Sequence, residues 1–110
     1  MDRFAKGDTV VVRLPFADLT GTSVRPALVI ARLRTGDYVI CQITSRFKRD
    51  GYSVPLDANS FTIGGLPRDS YVRPNRLFTA APAIILGRTG TLRADVVQEV
   101  VRAVVEIVQS

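Results

Sequence analysis

Arg25 stands before Pro26 at the head of an otherwise apolar run, RPALVIA, just after a loop rich in Pro, Asp, Gly, Ser and Thr. A guanidinium is permanently charged and matches phosphate oxygens two at a time. At a strand start it would project from a rigid platform into a loop-lined cleft, although a surface arginine capping a strand is the plainer reading of that residue alone. Thr44 and Ser45 close a later apolar run, YVICQIT. Their hydroxyls can hydrogen-bond a phosphate or a ribose, and small residues also commonly finish strands. Arg46, Lys48 and Arg49 follow at once, with Phe47 and Tyr52 among them. Cations interleaved with rings suit single-stranded RNA, because rings stack on bases while cations meet phosphates. Solvated basic loops are common, so this pattern is weak by itself. Arg73 and Arg76 flank Pro74-Asn75, which reads as a constrained turn carrying charge near a strand end.

The composition removes several chemistries. There is no His, which excludes Ser-His-Asp hydrolysis, His-ligated metals and His-based proton transfer. The single Cys excludes a disulfide framework and a Cys-cluster zinc site. Cys41 sits between apolar neighbours and reads as a small buried hydrophobe. Gly64-Gly65 lacks the following Lys-Ser/Thr and helix of a phosphate loop. No metal or cofactor is expected.

Fifteen Lys+Arg against ten Asp+Glu leave a net charge of +5, and thirteen of the fifteen cations are Arg. An Arg-rich surplus suggests a polyanionic partner, either nucleic acid or an acidic protein. The chain of 110 residues, 46% of them hydrophobic, suits one domain with its own core. The amino-terminal residues lack the pattern of a secretory signal. No apolar run approaches the roughly 20 residues of a membrane helix. A cytoplasmic protein without a membrane partner is expected.

Short segments must position these residues. Residues 9–14 (TVVVRL), 25–31 (RPALVIA) and 38–44 (YVICQIT) are β-branched and read as strands. The Thr35-Gly36-Asp37 turn makes a hairpin of the last two. Pairing then returns Thr44 toward Arg25 at one edge of the sheet. Residues 53–56 read as a short strand and 57–68 as a loop. Residues 70–73 and 77–80 read as separate β segments around Pro74-Asn75, and 84–88 as another, ended by Gly87 to Gly90. From Asp95 onward, Val97, Val100, Val101, Val104 and Val108 follow helical spacing, with Gln98, Glu99, Arg102 and Glu106 opposite. Valine is a mediocre helix former, so packing must hold this helix. The expected fold is mainly β, a small, strongly bent barrel with a C-terminal helix.

The segments GDTVVVRLPFADLTGTSVRPALVIA, VICQITS and LPRDSYVRPNRLFT, in this order, resemble the MazF/PemK-like toxins of type II toxin–antitoxin systems. The likeness spans nearly the whole chain, as a single domain over residues 1–110. It implies an SH3-like barrel shared with the CcdB-like toxins, and a homodimer. It further implies metal-independent cleavage of single-stranded RNA, often mRNA, at short sequences, with growth inhibition in the cell. The implied antitoxin is an acidic, mostly disordered segment lying across the dimer. The family's active-site Arg matches Arg25, its Thr matches Thr44 with Ser45 beside it, and an additional Arg matches Arg73. Arg46, Lys48, Arg49, Asn75 and Arg76 are the remaining expected RNA contacts. Asp18, Thr20 and Thr22 of the first loop are expected over the site.

In that scheme the ribose 2′-OH is the nucleophile. Arg25 stabilises charge developing on the phosphate and Thr44 orients it, leaving a 2′,3′-cyclic phosphate and a 5′-OH. Some members carry an Asp where this chain has Asn75, and a His in the first loop. A mechanism resting on those two groups is unavailable here, and the sequence does not name the base. Two other readings remain: a barrel that grips RNA without cutting it, and a poison of DNA gyrase like CcdB. The last is ranked lowest, because the chain ends in Glu-Ile-Val-Gln-Ser without the Trp expected there.

Overall fold

β-Branched residues fill the first three strands of the computed structural model, which describes residues 3–14, 23–47 and 49–110. In chain order these residues form β1 (Asp8–Leu14), β2 (Ser23–Arg32), β3 (Tyr38–Thr44), β4 (Val54–Leu56), β5 (Phe61–Gly64), β6 (Ser70–Ala80), β7 (Ile85–Leu92) and α1 (Ala94–Gln109). Single 3₁₀ turns lie at Ala58–Ser60 and Pro82–Ile84. One antiparallel sheet holds the strands in the order β4-β6-β3-β2-β1-β7-β5. The expected architecture, mainly β with a C-terminal helix, is what forms. The β2–β3 hairpin closes through Leu33 N–H to Asp37 O at 2.8 Å, with Gly36 at φ 93°. That positive φ suits glycine.

Period-two alternation sends successive side chains to opposite faces, and both faces here are apolar. Val10, Val12, Ala27, Val29, Ile40 and Ile85 pack on one face. Leu28, Cys41, Ile43, Leu56 and Val72 pack on the other, which Val97 and Val100 of α1 cover. Burying each such side chain contributes about 1.5–3 kcal/mol, far more than an exposed ion pair. Covering both faces makes the sheet curl, giving extents of 33 × 32 × 29 Å. Gln98, Glu99, Arg102 and Glu106 are exposed, as the helical spacing predicts. No helix among the described residues is long and apolar enough to cross a membrane.

Arg93 ties the helix start to the sheet margin. Its backbone N–H donates to Ser60 O at 2.8 Å, and its side chain donates to Asn59 O at 3.0 Å and to both Asp95 oxygens. Asp95 thereby sits in the first helical turn, where a negative charge suits the helix dipole.

Three segment boundaries differ from expectation. Residues 70–73 and 77–80 belong to one strand, β6, because Pro74-Asn75-Arg76 is a bulge and not a turn. Gln42 pairs with Arg73 while the adjacent Cys41 pairs with Leu77. Pro74 cannot donate to the ladder and is buried in the bulge. The segment 57–68, read as a loop, contains β5, an edge strand bonded to β7. β7 itself runs on through Gly87 and Gly90 to Leu92. At Gly90 a Cβ would lie 2.7 Å from Ile63 O, so glycine there lets β5 approach closely.

Candidate functional site

The register of three adjacent strands sets out the site. The β2–β3 pairing runs from Arg32–Tyr38 to Ala27–Gln42, and Arg25 and Thr44 each lie two residues beyond that last pair, at the same end of the hairpin. Thr44 pairs in turn with Tyr71, and Gln42 with Arg73. Directly opposed residues share a face. Thr44 and Tyr71 therefore form one row, and Ala27, Gln42 and Arg73 the next, with Arg25 two residues beyond Ala27 on β2. Neighbouring strands are about 4.8 Å apart, which puts the backbones carrying Arg25 and Arg73 about 10 Å apart, room for one phosphate between two guanidinium reaches.

Arg25 is exposed, and its Nη1 donates to the adjacent Val24 O at 3.2 Å. Thr44 is half-buried, and its Oγ1 accepts from Arg46 N–H at 3.1 Å. That bond fixes the hydroxyl and leaves its proton to donate. Ser45, Arg46, Arg49 and Arg76 are exposed. Lys48 and the first-loop candidates Asp18, Thr20 and Thr22 lie outside the described residues.

Arg73 and Asn75 are half-buried and converge on Asp50, which the sequence did not single out. Arg73 Nη2 and Asn75 Nδ2 both donate to Asp50 Oδ2, at 3.2 and 3.4 Å. Tyr52 N–H and Ser53 Oγ donate to Asp50 Oδ1, at 3.0 and 3.5 Å. The backbone bond from Tyr52, followed by Arg73 and Asn75, holds the Asp50 carboxyl below its ordinary value despite partial desolvation. Four donors occupy the four lone-pair positions of the carboxylate. Asp50 is thus a clamp on Arg73 and Asn75, held in its charged form at neutral pH. Three buried polar atoms in this group have no partner among the described residues: Gln42 Oε1, Arg73 Nε and Asn75 Oδ1. Asn75 must turn its NH₂ toward an acceptor-only carboxylate, so its oxygen faces away as an acceptor.

A cleft of about 730 Å³ is lined by Arg25, Gln42, Thr44 and Arg46 together with Pro26, Ile43, Leu66 and Ser70. Pro26, Ile43 and Ser70 alternate onto the helix-covered face. The cleft therefore takes its lining from both faces of the same strand ends. A second hollow of about 430 Å³ adjoins it at Leu66, Pro67 and Arg68. Burial pushes the Cys41 thiol up to about 12, which leaves it unreactive as expected. No group of three His, Cys, Asp or Glu side chains able to hold a metal ion is found among the described residues.

Comparison with known proteins agrees with this architecture. The chain superposes on the MazE–MazF complex from Deinococcus radiodurans with a TM-score of 0.74 and 23% identity, covering 94% of each chain. For the Mycobacterium tuberculosis toxin MazF-mt6 the TM-score is 0.73 at 19% identity, covering 93% of this chain and 96% of that one. For an endoribonuclease in complex with its cognate antitoxin from a mycobacterial species it is 0.72 at 15% identity, covering 99% and 96%. These likenesses establish the fold. A comparison with curated proteins gave no match. The sequence profile of the family described as PemK-like, MazF-like toxin of type II toxin–antitoxin system matches residues 5–108. The chain belongs to that family.

Proposed function

We propose that the protein is the toxin of a type II toxin–antitoxin pair and cleaves single-stranded RNA through attack of the ribose 2′-OH on the adjacent phosphate. The observation that supports this reading is that Arg25 and Thr44, with Gln42 and Arg46, line one cleft. Attack builds negative charge on the nonbridging oxygens, and the Arg25 guanidinium meets it. The Thr44 hydroxyl donates to the same phosphate and orients it. Arg73, braced by Asp50, holds a neighbouring phosphate, and Arg46 and Arg49 extend the cationic track. The solved relatives include a MazE–MazF complex and an endoribonuclease in complex with its cognate antitoxin, which supports an antitoxin as the natural partner.

The helix supports a homodimer. Val105 and Val108 are 41% and 69% exposed and continue the Val101–Val104 stripe beyond the sheet. A second copy would cover that stripe.

The test is digestion of a long single-stranded RNA in EDTA, with the new 5′ ends mapped. Discrete cuts with 5′-OH ends, abolished by Arg25→Ala, are expected. The Asn75 amide, which donates to Asp50 and cannot take a proton, favours one other reading, an RNA-gripping domain that does not cut. Retention of RNA without cuts would select it.

A further inference from the structure

Phe47 is 63% exposed, yet it is not a loose surface ring. It packs against Tyr71 with ring centroids 5.4 Å apart at an interplanar angle of 65°. Tyr71 is the register partner of Thr44. From this edge-on arrangement we infer that Phe47 is a stacking platform for one nucleobase of a single-stranded RNA, beside the phosphate met by Thr44. The inference rests on the RNA reading above and assigns a base-binding position to it.

An edge-to-face neighbour covers at most one face of a ring, so Phe47 keeps an open face while Tyr71 limits its rotation. A ring braced in this way loses less freedom when a base stacks on it. The surroundings select the occupant. Arg46 and Arg49 stand on either side of Phe47 in the chain, both exposed, and the Thr44 hydroxyl is three residues away. A nucleotide brings a π-face for the ring and phosphates for the cations. Stacking reads no hydrogen-bond pattern, so Phe47 supplies affinity and position and leaves base identity to other groups.

The test compares binding of thymidine, cytidine and adenosine oligodeoxynucleotides, which lack the attacking 2′-OH, with an abasic oligomer of equal length and charge. Fluorescence anisotropy is read on the wild type, Phe47→Ala, Phe47→Trp and Arg49→Ala. The wild type is expected to prefer at least one base-bearing strand over the abasic one, by on the order of tenfold or more. Phe47→Ala should lose most of that preference and Phe47→Trp should keep it. Arg49→Ala should weaken base-bearing and abasic strands by the same factor. Phe47→Ala that retains the preference overturns the inference while RNA cleavage by the same protein leaves the parent reading standing. Phe47→Ala that loses only an acidic protein partner also overturns it. A wild type that binds neither strand and cuts no RNA removes both.

Discussion

Asp50 and Arg73 are 23 positions apart in the chain and joined by a 3.2 Å ion pair at the edge of the polar rows. The carboxylate lies in the β3–β4 connection and the guanidinium in β6. One contact therefore sets both the loop that carries Phe47 and an arginine of the site.

Acidification should loosen this clamp. The folded Asp50 carboxyl is held below its ordinary 3.8, first by the Tyr52 backbone bond and then by Arg73 and Asn75. Its stabilising contribution is present above that ordinary value and is lost as pH falls through the lower, folded value. Asp95 is depressed too, chiefly by the Arg93 hydrogen bond. The Asp50 part is thus the difference between wild type and Asp50→Asn in Tm measured from pH 7 to pH 2. That difference should be largest at neutral pH and shrink in acid. A constant difference would remove the clamp from the account.

Asn75→Asp should act with the opposite sign. It places a second carboxylate where an amide now donates to Asp50. Two such groups repel, and the pKa of the pair rises. The variant should be least stable at neutral pH and recover as one carboxyl protonates. Combining it with Asp50→Asn should restore most of the loss, which thermal melts of the single and double variants can decide.

Arg25→Ala should lower the RNA cleavage rate by about 10²–10³ with an unchanged Tm. Arg25 is exposed, so its truncation leaves the packed core intact. Arg25→Lys should fall between, keeping charge without the fork. Equal rates for all three proteins would disqualify the residue.

Gly90→Ala should cost about 2–4 kcal/mol in chemical denaturation. Its Cβ would meet Ile63 O at 2.7 Å and Gly65 N at 2.9 Å, and backbone cannot swing aside as a side chain can. Loss below about 1 kcal/mol would mean that β5 moves freely from β7.

Val105→Asp combined with Val108→Asp should leave the monomer folded and shift sedimentation toward a single copy. Val100→Ala, at a site with 0% exposure, should instead cost about 1–3 kcal/mol without changing the mass.

Where the hydrophobic period was long, the sequence was informative. Val97 to Val108 ran at helical spacing, and TVVVRL and YVICQIT could be little but strands. β5 was hidden because FTIGG has no alternation and lies at a sheet edge, where packing asks little of it. The split of β6 had another cause: Pro-Asn marks a turn and a bulge alike, and only the partner strand tells them apart. Arg25 and Thr44 could be brought together because a hairpin joins their strands. Asp50 could not be found, since Asp-Gly reads as a turn and its partners are 23 and 25 positions away. The clamp exists only once β6 has folded back over β3.

Between two neighbouring positions on β3, the facing strand spends three additional residues, an odd number. Odd insertions reverse the in–out phase of everything that follows. Arg73 can therefore serve the polar end while Phe78, opposite Ile40, still lands in the core. Length changes at this point should be tolerated in steps of two and ruinous in steps of one: loss of a single residue would turn Phe78 outward, whereas removal of a pair would shorten the bulge and spare the interior.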